Sequence, residues 1–320
     1  MKKKLVLIDG HALAYRAHFA LIRQGFTTKD GTPTWAIYGF TRMLMETIER
    51  LKPDLLAVAF DKGQPTFRHE AFAEYKAHRK PMPDGLADQI DKIRDVVRAF
   101  GVPIYELPGY EADDVIGTIA RQAEKAGYQV NIVTGDRDSF QLVDEDISVM
   151  IPESGTGDFK CYGPEEVRAK MGLGPDQVVD YKALRGDPSD NIPGVPGIGD
   201  KTATKLLHDF HDFDHLYANL DQVEPPRIRE KLRENEEIAK QSRFLARIDT
   251  EVPLDGENKL DWAHCSMTMP DLKNLTGLLE ALEFSSIIKQ LPKTLGHFHY
   301  GEALEVPAET EEKKLDLRLT

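Results

Sequence analysis

Nine carboxylates in five places carry the chemistry of this 320-residue chain. Asp9, Asp61 and Asp136 each close a short apolar run, at residues 4–9, 55–61 and 130–136. Continuous β-branched runs of that length read as strands buried on both faces, and sites in a parallel sheet form beyond the strands' carboxyl ends. A single Asp after a strand is ordinarily a helix cap or turn former. Three at equivalent ends crowd one crevice, where each raises the others' pKa unless a cation neutralises them. Glu111, Asp113 and Asp114 add three more at a helix start, where capping has a use for only one or two. Asp138 follows Asp136 by two residues, and Asp187 and Asp190 form a further spaced pair. Oxygen ligands without His or Cys favour Mg²⁺ or Mn²⁺ over zinc. Two such ions would hold the attacking water and the leaving oxygen of an in-line displacement, so phosphodiester hydrolysis is the first reaction class implied.

A cationic stripe with aromatics interleaved follows Asp61: Arg68, Phe72, Lys76, Arg79 and Lys80 recur at near-helical spacing. Such a run is often only a solvated face, but beside a carboxylate crevice it could grip a phosphate while rings stack on unpaired bases. Tyr15, six residues beyond Asp9, could stack in the same way or be a buried helix tyrosine. Gly194, Gly197 and Gly199 followed by Lys201 and Thr202 imitate a phosphate-binding loop. Asp200 stands where that loop needs its Lys, however, and no strand precedes it. Read as helix, Gly-rich turn and helix, the segment offers backbone N–H groups and a helix N-terminus to a duplex phosphate, with Lys201 and Lys205 alongside.

These groups need a scaffold, and strands alternating with helical patterns predict an α/β fold with a mostly parallel sheet flanked by helices. Weaker strands are expected near 102–106 and 147–151, and helices over 38–51, 90–100 and 115–123. From Gly163 onward the pattern turns helical, with Gly- and Pro-punctuated turns. We place a nuclease-like α/β domain at 1–170, a helical domain at 171–292 and an acidic linker or tail at 293–320. Residues 315–319 alternate like the start of a strand, as if the chain were a piece of a longer one, though a natural frayed tail fits these residues equally well. The hydrophobic share of 41% supplies real cores, while a net charge of −13 argues against a generally basic coat or adhesion to acidic membranes. The nine carboxylates account for most of that excess, so a nucleic-acid substrate is not disfavoured. Two cysteines, Cys161 and Cys265, are too few for a disulfide framework and fit a reducing cytoplasm. The apolar run after Lys2-Lys3-Lys4 stops at Asp9, short of an exportable core, and no run approaches a membrane span.

Six strings in order, Leu7-Ile8-Asp9-Gly10, Phe67-Arg68-His69-Glu70, 75–79 (Tyr-Lys-Ala-His-Arg), 111–117 (Glu-Ala-Asp-Asp-Val-Ile-Gly), 134–138 (Thr-Gly-Asp-Arg-Asp) and 184–199, resemble the 5′ nuclease domains of bacterial DNA polymerase I, within the flap endonuclease family. The resemblance covers roughly residues 4 to 290. It implies a PIN-like fold with a helical arch, and 5′ to 3′ exonuclease and structure-specific 5′-flap cleavage of DNA, or of RNA primers in RNA–DNA hybrids, in replication and repair. It also implies one metal near Asp9, Asp61, Glu111 and Asp113, and a second held through Asp114, Asp136, Asp138, Asp187 and Asp190. Lys76 and Arg79 match arch residues on the scissile phosphate, Arg68 supports them, and Tyr15 matches a ring stacked on the terminal base. Residues 194–205, with Gly194, Gly197, Gly199, Lys201, Thr202 and Lys205, are similar to a duplex-binding helix-turn-helix that often holds K⁺ on backbone carbonyls. A monomer is implied, acting in the bacterial cytoplasm on nicked or flapped DNA, with a polymerase module in the same native chain. Lys62-Gly63 departs from the Ala-Lys common in relatives and moves one cation by a residue. Two rivals remain: a DNA-structure-binding module with a silent site, and a PIN-like RNA nuclease.

Overall fold

The computed structural model describes residues 2–153, 158–256 and 259–299. In chain order the first unit contains β1 (Lys4–Asp9), α1 (Gly10–Leu21), α2 (Trp35–Leu51), β2 (Leu55–Ala59), α3 (Phe67–Ala71) and α4 (Asp84–Ala99). It continues through β3 (Ile104–Tyr105), α5 (Ala112–Lys125), β4 (Gln129–Val133), β5 (Ile147–Pro152) and β6 (Phe159–Tyr162). The strands form one sheet in the order β3-β2-β1-β4-β5-β6, parallel throughout except for β6, which runs antiparallel to β5. That edge strand was not legible in the sequence, because Phe159-Lys160-Cys161-Tyr162 is short and half polar.

The expected parallel sheet is present, and alternation along β1 shows why its strands are apolar on both sides. Val6 and Ile8 face a core shared with α1, α2 and α4. Leu5 and Leu7 face a second core built with α5. Strand order reverses between β1 and β4, and a crevice opens outside the carboxyl ends of strands at such a reversal. Register places Asp9 opposite Ala59 on β2 and Ile8 opposite Val133 on β4, so the segments leaving all three strands emerge side by side.

The helical part follows as α6 (Pro164–Met171), α7 (Val178–Arg185), α8 (Asp200–Phe210), α9 (Phe213–Ala218), α10 (Pro226–Glu234) and α11 (Glu236–Ala246). Leu184, Val195, Ile198, Leu207, Phe213 and Leu232 build its separate core. After short α12 (Trp262–Cys265) come α13 (Leu272–Ala281) and α14 (Ser285–Leu295). Their apolar faces, with Leu275, Leu279, Ile287 and Leu291, return to the core beneath α2 and α4. The expected unit 171–292 is therefore divided between two cores, and the first unit reclaims the chain's later helices. A helical period shows that a face is apolar but not which core it joins, so the sequence could not make this division. Described structure also runs past position 293, with Phe298 buried, whereas the strand-like 315–319 lies outside the described residues.

The loop between α7 and α8 is set by two glycines that nearly touch. Gly186 and Gly194 both take positive φ, 80° and 62°. A Cβ on Gly194 would lie 2.2 Å from the Gly186 nitrogen. This approach folds 186–194 back on itself, with Asp187 and Ile192 exchanging backbone hydrogen bonds at 2.9 Å and Gly194 N donating to Ser242 Oγ at 3.0 Å. Gly194→Ala is expected to cost roughly 2 kcal/mol or more, from backbone strain and the clash together. Gly277→Ala, in open space within α13, should instead stabilise by roughly 0.5–1 kcal/mol. Urea unfolding of both variants checks the pair.

Candidate active site

The strand ends open into a crevice of about 970 Å³ lined by Asp9, Asp61, Glu111, Asp113 and Asp136, with Tyr15, Lys76 and Arg79 also on its wall. Asp9 caps α1, accepting from Ala12 N at 2.9 Å through Oδ1, while its Oδ2 accepts from Thr134 Oγ1 at 2.9 Å. The same Thr134 oxygen accepts the Asp136 N–H at 3.0 Å, so one buried hydroxyl fixes the spacing between two strand-end carboxylates. Asp61 Oδ1 takes the Ala112 N–H at 2.8 Å, tying β2 to the first turn of α5. His11 Nδ1 accepts the Asp61 N–H at 3.1 Å and lies 3.1 Å from Asp61 Oδ2.

The carboxylates divide by whether a cation meets them. Asp9 is pushed up to about 6, chiefly by burial, with the charge of Asp61 adding to it. Asp113 is pushed well above the carboxylate range by burial and then by Asp136 and Asp9, and its buried Oδ1 has no hydrogen-bond partner. The Asp61 side chain is nearly half exposed; partial desolvation would raise it, but His11, the Ala112 N–H and Lys76 outweigh that and hold it below its usual value. Asp9, Asp113 and Asp136 thus form a mutually repelling group in want of positive charge.

The other carboxylates already have it. Lys76 Nζ donates to Glu111 Oε1 at 2.7 Å and lies 3.6 Å from Asp190 Oδ2. Arg79 pairs with Asp190 Oδ1, and Tyr75 hydroxyl bonds both Glu111, at 3.1 Å, and Asp190, at 3.3 Å. Lys182, on α7, bonds Asp138 Oδ1 and lies 2.7 Å from Asp187 Oδ2. Burial pushes Asp138 to about 7 in spite of Lys182, with the charge of Asp136 adding to the rise. Asp187 would also rise on burial, but Lys182 and Ser189 hold it at about 2. Among the described residues no three carboxylates converge as a finished cage, which suits a cation that keeps most of its waters.

A family model described as the 5′-3′ exonuclease N-terminal, resolvase-like domain matches residues 4–172, and one described as the 5′-3′ exonuclease C-terminal SAM fold matches 173–273. The chain belongs to the 5′-3′ exonuclease family. DNA polymerase I of Bacillus caldotenax is 43% identical over 315 residues, covering 98% of this chain and 34% of that protein. DNA polymerase I of Bacillus subtilis (strain 168) is 46% identical over 254 residues, covering 79% of this chain and 29% of that protein. The chain therefore spans about a third of the length of these relatives. In fold it is similar to T5 5′-exonuclease with zinc bound (TM-score 0.64, 20% identity, 88% of this chain and 99% of that chain). It is also similar to the catalytic core of Rad2 in complex with DNA substrate (TM-score 0.60, 18% identity, 91% and 93%).

Within this exonuclease-family chain, several expected residues take other places. Asp114 is wholly buried, and Arg68, 2% exposed, grips both its oxygens at 2.8 and 2.7 Å. Asp114 also accepts the N–H groups of Glu111 and Asp249, and Arg68 donates to the carbonyls of Leu245 and Arg247. Neither is free to touch an ion or a phosphate: together they brace α3, α5 and the strand of chain leaving α11. The cationic stripe is not one helix either. It ends as a helix at Ala71, and Lys76 adopts a left-handed backbone (φ 55°) with its N–H on the Asp190 carbonyl at 3.0 Å. Lys62 reaches Glu106 at 3.0 Å, away from the carboxylate floor. Tyr15 stacks on exposed Phe19 at the rim, with ring centroids 6.2 Å apart.

The Gly194–Lys205 segment does not line the carboxylate crevice. Gly199 starts α8, and exposed Lys201 and Lys205 stand on its first two turns with Thr202 beside them. The Gly197 carbonyl, in the turn expected to take K⁺, faces the Lys231 ammonium at 3.4 Å. Thr134, His11, Tyr75 and Lys182 were missed by the sequence reading. Only Lys182 left a signal there: it falls four residues after Val178, where the helical period calls for an apolar side chain.

Two outcomes test this electrostatic reading. Arg68→Met, by stranding the buried Asp114 charge, is expected to cost about 3–5 kcal/mol in urea unfolding, with part recovered on adding Asp114→Asn. The second concerns pH. A carboxyl whose folded pKa is raised contributes stability at low pH that is lost as pH climbs through the raised value. In chelator, Asp113→Asn should therefore melt close to the parent near about pH 5 and clearly above it near about pH 8. An equal difference at both pH values would show that Asp113 is not held in its acid form.

Proposed function

We propose that this chain is a divalent-metal-dependent 5′ to 3′ exonuclease and 5′-flap endonuclease, cutting DNA strands and RNA primers in RNA–DNA hybrids with Mg²⁺ or Mn²⁺. The observation that carries the metal is Asp113 Oδ1, a buried carboxylate oxygen without a hydrogen bond, beside the unneutralised charges of Asp9 and Asp136. An unpaired buried charge is costly, and a hydrated cation supported by Asp9, Asp113 and Asp136, with Asp61 and Glu111 through water, is the partner that removes the cost. Such an ion would supply Lewis acidity, easing loss of a proton from the attacking water and offsetting charge on the departing oxygen.

The chain's own residues do the rest. Lys76 and Arg79 stand on the crevice wall and exchange Glu111 and Asp190 for the oxygens of the scissile phosphate, where ammonium and guanidinium favour the charge of the transition state. Tyr15, half-buried at the rim beside exposed Phe19, offers its free face to a terminal base. Lys201, Lys205 and the N–H groups opening α8 grip a duplex backbone, which positions without reading sequence. Family membership supports the 5′ polarity, and the relatives' length supports a polymerase module as companion in the native bacterial chain.

A labelled 5′-flap duplex and a single-stranded RNA, each with and without Mg²⁺, test the reading. Release of 5′ fragments from the flap alone, and only with metal, is expected. Cleavage of the RNA alone would favour the RNA-nuclease rival, and binding without cleavage the silent module. Lys76→Ala should slow single-turnover flap cleavage by roughly 10²–10³-fold, the scale of one preorganised donor, while flap affinity in Ca²⁺ changes only a few-fold.

A further inference from the structure

We propose that the ammonium of Lys182 is itself the second cation of this site, so that the free protein takes one divalent ion where the carboxylate count suggests two. The inference rests on the metal reading above and concerns its stoichiometry. Of the carboxylates expected around a second ion, Asp138, Asp187 and Asp190 stand outside the Asp9–Asp113–Asp136 group and are not wholly buried as Asp114 is, and nearly every oxygen they carry is engaged. Asp138 Oδ1 holds Lys182, and Asp187 Oδ2 lies 2.7 Å from it. Asp187 Oδ1 takes the Ser189 N–H at 2.9 Å and its hydroxyl at 2.5 Å. Asp190 holds Arg79 with one oxygen and Tyr75 with the other. The contrast with the bare Asp113 oxygen is one of kind: one group lacks a cation and the other is built around one.

The lysine is held where it is. It is 9% exposed, and its neighbours Ala183 and Leu184 are fully buried in the second unit's core. Two residues earlier, Asp180 accepts the Phe213 N–H at 2.9 Å and pairs with Arg243 at 2.7 Å, which pins α7 against α9 and α11. A divalent ion entering between Asp138 and Asp187 would meet an ammonium within bonding distance of both, in a place where water screens poorly. The tethered charge has a chemical consequence. It cannot dissociate when ion concentration falls, so the second carboxylate group stays neutralised in the absence of metal and only the first responds to Mg²⁺.

Mn²⁺ titration of the metal-free protein without DNA, followed by the electron paramagnetic resonance of free Mn²⁺, counts the ions. One ion is expected for the parent protein, one for Lys182→Arg, and two for Lys182→Met, whose second ion should bind at least about tenfold tighter than any second ion in the parent. Two comparably bound ions in the parent, or a single ion in a folded Lys182→Met, would overturn the proposal. Should Lys182→Met fail to fold, Asp138→Asn decides: one ion still bound with affinity within a few-fold supports the tethered cation, and loss of an ion contradicts it. No ion in the parent would instead remove the metal reading on which the proposal rests.

Discussion

Asp9, Asp61, Glu111, Asp113 and Asp136 share one crevice, and the repulsion among them sets the terms for the surrounding structure. Parallel strands can bring such groups together cheaply, because the segments leaving β1, β2 and β4 emerge at one level of the sheet. Keeping them together needs compensation, and the fold supplies it in graded form: a hydroxyl between Asp9 and Asp136, an imidazole at Asp61, ammonium and guanidinium groups at Glu111 and Asp190. What is left uncompensated is concentrated at Asp113. A site assembled this way holds its greatest electrostatic need at the point where the proposed chemistry would place a cation.

Family ancestry and packing divide this one molecule differently. The family models divide the chain at residue 172, while the cores divide it by which apolar faces meet, and α13 and α14 return to the first core across that line. The difference has a physical source: a sequence family follows descent along the chain, whereas a core follows contact.

Much of the scaffold was legible because it obeys short-range rules. Apolar runs ending in Asp gave β1, β2 and β4, and helical periodicity gave α2, α4 and α5. Carboxylate crowding at the strand ends followed from those elements alone. What stayed hidden depends on partners distant in sequence. Asp114 and Arg68 look like an ion ligand and a phosphate grip until they are found facing each other, 46 positions apart, under the floor of the site. Lys182 showed only as a charge at an apolar helix position, and its role stayed hidden because it is set by Asp138, 44 positions earlier, as much as by nearby Asp187. Composition registers charges, but whether a charge is spent on a neighbour is decided by tertiary packing.

The return of α13 and α14 to the first core also gives the helical unit two covalent tethers. The chain enters it after α6 and leaves it after α11, and the exit is clamped by Arg68 on the carbonyls of Leu245 and Arg247. A body hung from one linker can swing, but one fixed at both ends can rotate only by bending two connections together. The offset between the exposed lysines of α8 and the carboxylate crevice is therefore a constant of the architecture. Under the function proposed for this chain, with a duplex held at α8 and a strand reached at the crevice, that fixed offset would work as a gauge.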